Sequence, residues 1–324
     1  MPEVISYEEA IAATKDEDRA LLIGNGFSAE YFNYKSLLEK SGLEEGTPLR
    51  NLFSELNTVD FEAVVRALED AAIVERAYGN ADHSGALIND AQIVREALVH
   101  AINGTHPAHR EELAVKYESS SKFLRHFGKV FTLNYDLLLY WVNLEKTLLR
   151  DGFGMGDETG RFLGPFHENA YCDVYNLHGG LQLFDNGRGE VIKAINTGTG
   201  VIATITHTIA EKKRLPIYVA EGSSPEKMRK INSSAYLRHC YDQLLKNQAS
   251  SIFVFGHSAD DNDAHIYRAI FSSDVKRVFF SVFNPDDEKL RQLSGQLAKH
   301  RELGGKDIEY TFYDAASAHV WDAA

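Results

Sequence analysis

The chain has 324 residues, a formal net charge of −13, 44% apolar and 25% charged residues, the balance of a globular protein that can bury a large core. So acidic a surface repels nucleic acid and anionic membrane, and neither is an expected partner. With two cysteines, Cys172 and Cys240, no disulfide framework or four-thiolate zinc site can form within one chain. Two thiols fit a reducing, cytoplasmic compartment. The first residues, Met1-Pro2-Glu3-Val4-Ile5, lack the pattern of a signal peptide, and the longest apolar stretch, around Phe131 to Leu144, is too broken by Asn134 and Asp136 to span a membrane.

In chain order, Ser6 to Thr14 reads as a short helix capped by Ser6, with Glu8 and Glu9 in its first turn. Arg19 to Ile23 reads as a buried strand closing on Gly24-Asn25-Gly26, with Ser28 as cap of a following helix. Apolar residues then recur every three and four positions, which predicts an all-helical insertion over 57–127, either simple bulk or a lid. Lys129 to Leu133 is a second strand and Asp136 to Leu149 a helix, while the glycines from Gly152 to Gly164 mark a loop. After a short strand at Val174 to Leu177, alternation from Leu181 to Ile205 about Asp185-Asn186-Gly187 predicts a hairpin within an insertion over 181–210. Pro216 to Ala220 is a strand, followed by a helix to Leu245 with a break near Asn232-Ser233. The remainder reads as strand (Ser251 to Phe255), helix (Asp263 to Phe271), strand (Arg277 to Phe283), helix (Asp286 to Leu303) and strand (Ile308 to Phe312). Strands alternating with helices predict an α/β fold: one Rossmann-like domain over 1–324 with a mostly parallel, doubly wound sheet and a helical insertion.

Four apolar runs close on polar residues, and ligands of a parallel sheet bind at the carboxyl ends of strands. Gly24-x-Gly26 suits the approach of backbone N–H groups to a pyrophosphate, although Ala29 stands where the dinucleotide fingerprint has its third glycine, and a tight structural turn has the same sequence. Asn134 and Asp136 lie two apart and face one side of an extended strand end. An amide beside a carboxylate suits ribose hydroxyls and a carboxamide; the plain alternative is a turn residue and a helix cap. His178, followed by two glycines, is expected as an exposed imidazole available as a general base. Gly256-His257-Ser258 offers a hydroxyl and amides to a second ribose or a phosphate. Asp260-Asp261-Asn262-Asp263 with His265 lacks calcium-loop spacing, so helix capping by Asp261 or Asn262 is expected there, with no metal.

Taken together and in this order, the segments resemble the SIR2 (sirtuin-related) family of NAD-consuming enzymes, and its bacterial SIR2-like branch more than the protein deacylases. Gly24-Asn25-Gly26-Phe27-Ser28 resembles the family's dinucleotide-binding turn, Thr132-Leu133-Asn134-Tyr135-Asp136 its nicotinamide-riboside motif, His178-Gly179 its catalytic His-Gly, and Gly256-His257-Ser258 its adenosine-side contact. Pro216-Ile217-Tyr218-Val219-Ala220-Glu221-Gly222, with Glu226-Lys227 and Ser234-Ala235-Tyr236-Leu237, further resembles the bacterial group DUF4917. The resemblance implies NAD+ as substrate, an NAD+ hydrolase acting in anti-phage defence, catalytic His178, Asn134 and Asp136, and restraint by a homo-oligomer or a regulatory partner. Its alternatives are a non-catalytic NAD or ADP-ribose sensor and an NAD-dependent deacylase. No cysteine lies between Gly179 and Pro216, where deacylases carry a zinc module.

Overall fold

The computed structural model describes residues 3–31, 37–107, 110–146, 149–154, 156, 160–195, 200–219 and 222–323. Its strands are β1 (Val4–Ile5), β2 (Arg19–Ile23), β3 (Lys129–Thr132), β4 (Phe162–Leu163), β5 (Val174–Asn176), β6 (Gly179–Asp185), β7 (Val191–Ala194), β8 (Pro216–Tyr218), β9 (Ser251–Phe255), β10 (Arg277–Val282) and β11 (Glu309–Asp314). Its α-helices are α1 (Tyr7–Ala12), α2 (Pro48–Glu55), α3 (Phe61–Ala77), α4 (Ala81–Thr105), α5 (Tyr117–Leu124), α6 (Leu138–Lys146), α7 (Val201–Lys212), α8 (Ser224–Asn232), α9 (Ala235–Leu245), α10 (Ala264–Ser272) and α11 (Asp287–Gly304). No helix of the described residues is long and apolar enough to cross a membrane.

The larger sheet has seven strands in the order β1-β11-β10-β9-β2-β3-β5, paired in parallel throughout. Neighbouring residues of a strand point to opposite faces, and each face has its own core. Leu21, Ile23, Val130 and Phe253 pack with apolar residues of α3 to α6, whereas Ala20, Leu22, Phe131, Ile252 and Val254 pack with those of α9 to α11. Because helices cover both faces, β9 is buried at every position instead of alternating. The architecture is the Rossmann-like α/β one that the alternating pattern predicts. From β2 the sheet builds outward through β3 to β5, and from β9 outward through β10 to β11, so its order reverses between β2 and β9. Such a switch point is where a parallel sheet opens its ligand crevice.

The structure departs from the sequence reading in four places. Ser28 ends a single 3-10 turn over Asn25–Phe27 and opens no helix through residue 31. Helicity begins before residue 57, at α2, whose Pro48 suits a first turn because the N–H it lacks would have no intrahelical partner. Pro216–Tyr218 joins not the parallel sheet but a second one, β4-β7-β6-β8, antiparallel to β6 and at its edge, where a proline leaves no ladder bond unmade. The expected hairpin is present as β6 and β7, with Gly187 N–H donating to Asp185 Oδ1 at 2.5 Å. Beyond it, Val201-Ile202-Ala203-Thr204-Ile205 looks like alternating strand yet begins α7, because Val201, Ile205 and Ile209, one turn apart, are buried together on one side of a helix.

Candidate functional site

The four motif segments leave four neighbouring strands at one end of the sheet. Gly256-His257-Ser258 follows β9, Gly24 to Ser28 follows β2, Leu133 to Asp136 follows β3, and Leu177-His178 follows β5, in the spatial order β9-β2-β3-β5. Backbone bonds carry this alignment past the strand ends: Gly24 N–H donates to Phe255 O, Leu133 N–H to Ile23 O and Leu177 N–H to Thr132 O, each at 2.9 Å. Thr132 is paired with Asn176, so Asn134 and His178 each lie two residues beyond that pair.

At the switch point the glycines serve contact between two turns. Gly26 N–H donates to Gly256 O at 2.6 Å, and a Cβ on Gly26 would stand 2.5 Å from Gly256 Cα. A Cβ on Gly24 would stand equally close to that of His257, and Gly256 has a φ of +66°, which favours glycine. The Gly26 amide is therefore not free for a pyrophosphate. Phe27 is buried, with Trp321 Nε1–H donating to its carbonyl at 2.5 Å, whereas Asn25 and Ser258 are exposed at the crevice mouth.

Beyond β3, Asn134 is buried, with its backbone N–H on Thr132 Oγ1 and its Nδ2 donating to Ser28 Oγ, both at 3.0 Å. Its Oδ1 has no hydrogen-bond partner, nor has Gln182 Oε1, and both residues line a cavity of about 30 Å³ with Thr132, Asp136, Asn176 and Lys193. That is room for about one water. Asp136 Oδ1 accepts from Leu138 N–H at 2.7 Å, the helix-cap role allowed for in the sequence. From the end of α4, His106 reaches the same corner: its Nδ1 lies 3.1 Å from Ile102 O and its Nε2 accepts from Leu137 N–H at 3.3 Å. Burial holds this imidazole below its ordinary pKa, against the pull of Asp136.

His178 is not exposed, contrary to expectation. Its carbonyl accepts from Val219 N–H at 2.8 Å, and Gly179, at a φ of +72°, lies so close to β8 that a Cβ would run into Ile217 O. The glycine here permits a close strand approach, and the imidazole beside it is buried as a result. His178 Nε2 lies 3.3 Å from His265 Nε2 and 3.8 Å from Asp263 Oδ1. On the other side of the carboxylate, His257 Nε2 lies 3.7 Å from Asp263 Oδ2. Asp263 thus bridges side chains that start from β5 and β9, across the ends of β2 and β3. Lys227 of α8 donates to Asp263 Oδ1 at 2.8 Å. Ser224 Oγ accepts from His265 N–H and meets His265 Nδ1, both at 3.0 Å.

Burial lowers the pKa of His178 well below the ordinary imidazole value, with Asp263 opposing and His265, Lys227 and His257 reinforcing the shift. Burial likewise lowers His257, and brings His265 down to about 4. Burial alone would raise Asp263, but the cationic forms of His178 and His257, together with Lys227, outweigh it and hold the carboxyl well below the usual range. Burial therefore disfavours a charge on all three imidazoles around the ion pair of Lys227 with Asp263. Neutral imidazoles can accept a proton or ligate a metal.

Residues 21–321 match the family described as Domain of unknown function (DUF4917), a span that takes in all four strand ends and the cluster above them. The chain belongs to this DUF4917 family. No curated protein matches it.

Within this DUF4917 chain the structure groups the residues singled out in the sequence into two polar centres. One joins Asn134 to Ser28 beside Thr132 and Asp136; the other joins His178 to His257 through Asp263. Capping by Asp261 or Asn262 is not what their segment does. Asp261 pairs with Lys299 at 2.7 Å and Asp260 accepts from Gln296 at 2.9 Å, while Asp263 and His265 turn inward to the cluster. Ser224, Lys227, His106 and Gln182 were not foreseen. A sequence signal for the first two is the Ser-Pro-Glu-Lys opening of α8, whose serine and lysine lie three apart and so share a helix face.

Proposed function

We propose that this protein is an NAD+ glycohydrolase, cleaving the bond between nicotinamide and ribose to leave ADP-ribose or a cyclic relative, and that it depletes NAD+ in bacterial defence against phage. The observation that supports this reading is the neighbourhood of two strand ends, β3 supplying an amide and a carboxylate and β5 an imidazole, with Asn134 Oδ1 buried without a donor. An unsatisfied buried acceptor costs about 1–3 kcal/mol, which a hydroxyl of the ligand would offset. In this reading Asn134 orients the ribose or the attacking water, Asp136 holds the carboxamide, and His178 takes a proton from a ribose hydroxyl or water. Fixed dipoles around the sugar stabilise the positive charge that develops as nicotinamide departs. Thr132, the Gly24 to Ser28 turn and Gly256-His257-Ser258 hold the rest of the dinucleotide, with exposed Asn25 and Ser258 as its first contacts.

A second reading, a non-catalytic module that binds NAD+ or ADP-ribose and reports it to a partner, is favoured by two details. The cavity at Asn134 is small, and the His178 ring is turned to His265. Incubation of the purified protein with NAD+, followed by chromatography for nicotinamide, separates the two. A glycohydrolase releases nicotinamide, and Asn134→Ala and His178→Ala release it about a hundredfold more slowly. Equal turnover in the variants removes both residues from the mechanism, and thermal stabilisation by NAD+ without turnover identifies the binding module.

A further inference from the structure

His178, Asp263 and His265, all buried, bring ligand-type atoms to within 4.8 Å of one another. The two Nε2 atoms stand 3.3 Å apart, and His178 Nε2 stands 3.8 Å from Asp263 Oδ1. Ligands about 2.1 Å from a tetrahedral metal are separated by about 3.4 Å, and the two separations at His178 Nε2 lie within about half an ångström of that spacing. His265 is already oriented from behind, since its Nδ1 meets Ser224 Oγ at 3.0 Å, the outer-shell contact that aims the other ring nitrogen at a metal. A second and independent sign of a ligand is His257. Its side chain is 8% exposed, its Nε2 has no hydrogen-bond partner, and that atom lies 3.7 Å from Asp263 Oδ2.

The geometry points to a two-histidine, one-carboxylate site for a divalent transition metal of the zinc or cobalt class. The ligands are His178 Nε2, His265 Nε2 and the Asp263 carboxylate, and a fourth position beside His257 takes a water. Imidazoles with one carboxylate select such metals over magnesium or calcium, which prefer all-oxygen ligand sets. Lys227 is the competing cation, 2.8 Å from Asp263 Oδ1, so a metal must share the carboxylate with its ammonium. The site stands apart from the NAD+ reading, because metal binding is measured without NAD+. The two meet at His178, whose Nε2 lone pair cannot hold a metal and accept a proton at once.

The test is a cobalt(II) titration of tag-free protein previously stripped with chelator, followed by visible absorption. The expected result is one equivalent bound, with the ligand-field bands of a four- or five-coordinate site, displaced by zinc(II) and absent in His265→Ala and His265→Gln. Lys227→Gln binds about tenfold more tightly, because it removes a positive charge that repels the metal at short range. That gain keeps its meaning whether or not the His265 variants fold. Three results overturn the proposal: no saturable cobalt or zinc binding by the unaltered chain, binding that survives both His265 substitutions, or binding by Lys227→Gln alone, which would leave the cluster as a salt bridge with neutral neighbours.

Discussion

His178, His257, His265 and His106 are held neutral at pH 7 chiefly by burial, and this links stability to pH with a definite sign. An imidazole in the unfolded chain takes up a proton near pH 6.5, whereas His265 resists until about pH 4 and the others are shifted the same way. Between those values the unfolded state binds more protons. Stability is therefore full above about pH 6.5 and falls as the pH drops toward 4. The melting temperature should decline steeply from pH 7 to pH 5, and His265→Gln should flatten the decline; a flat profile in the unaltered chain would refute buried neutral imidazoles. At this scale the sequence was partly legible. Position after an apolar run picked out Asn134, His178 and His257, but their partners are set by tertiary packing. Lys227 reaches Asp263 over 36 residues and from another helix, and no local pattern encodes that. His178 is buried rather than exposed for a related reason: a glycine pair reads as mobility, while Gly179 here permits the approach of β6 to β8.

Elements were easier to read than contacts because helix and strand periods are local. Strands β2 and β9 run over the residues expected, and α1 has the Ser6 cap expected of it, with Glu9 returning a bond to the Ser6 N–H. Misreadings fell where a β-branched run, Val201 to Ile205, carries strand propensity but is buried as helix, so tertiary burial overrode a weak local preference. Two glycines give opposite predictions. Gly26→Ala places a Cβ 2.5 Å from Gly256 Cα, backbone against backbone, and should cost about 1–3 kcal/mol, seen as a lower denaturant midpoint at unchanged slope. Gly85, exposed inside α4 with nothing within 4 Å of a built Cβ, should gain about 0.5–1 kcal/mol as Ala. A stable Gly26→Ala would show that the two turns are free to part.

Over the whole molecule, alternation of strands and helices is enough to predict a doubly wound sheet, whereas the second sheet is legible only in its β6–β7 hairpin, because β8 is a short apolar run that resembles a parallel strand. A ligand in the crevice should act on all four strand ends together. ADP-ribose at about a hundred times its dissociation constant should stabilise the fold by about 2.7 kcal/mol. Amide exchange should slow jointly in 24–28, 132–136, 176–179 and 255–258; protection confined to one segment would place the ligand elsewhere.

The position of β2 between β3 and β9 also sets a timetable for biosynthesis. A ribosome that has released everything up to β8 presents a central strand with one bare edge, and of the centre that joins His178 to His257 through Asp263 only His178 has been translated. Only when Ser251–Phe255 emerges, and Asp263 soon after, do the opposing side chains meet. A prematurely terminated polypeptide is thus incomplete at the heart of its sheet and cannot assemble the crevice. Under the activity proposed here, that ordering spares the host from fragments that would drain its cofactor pool.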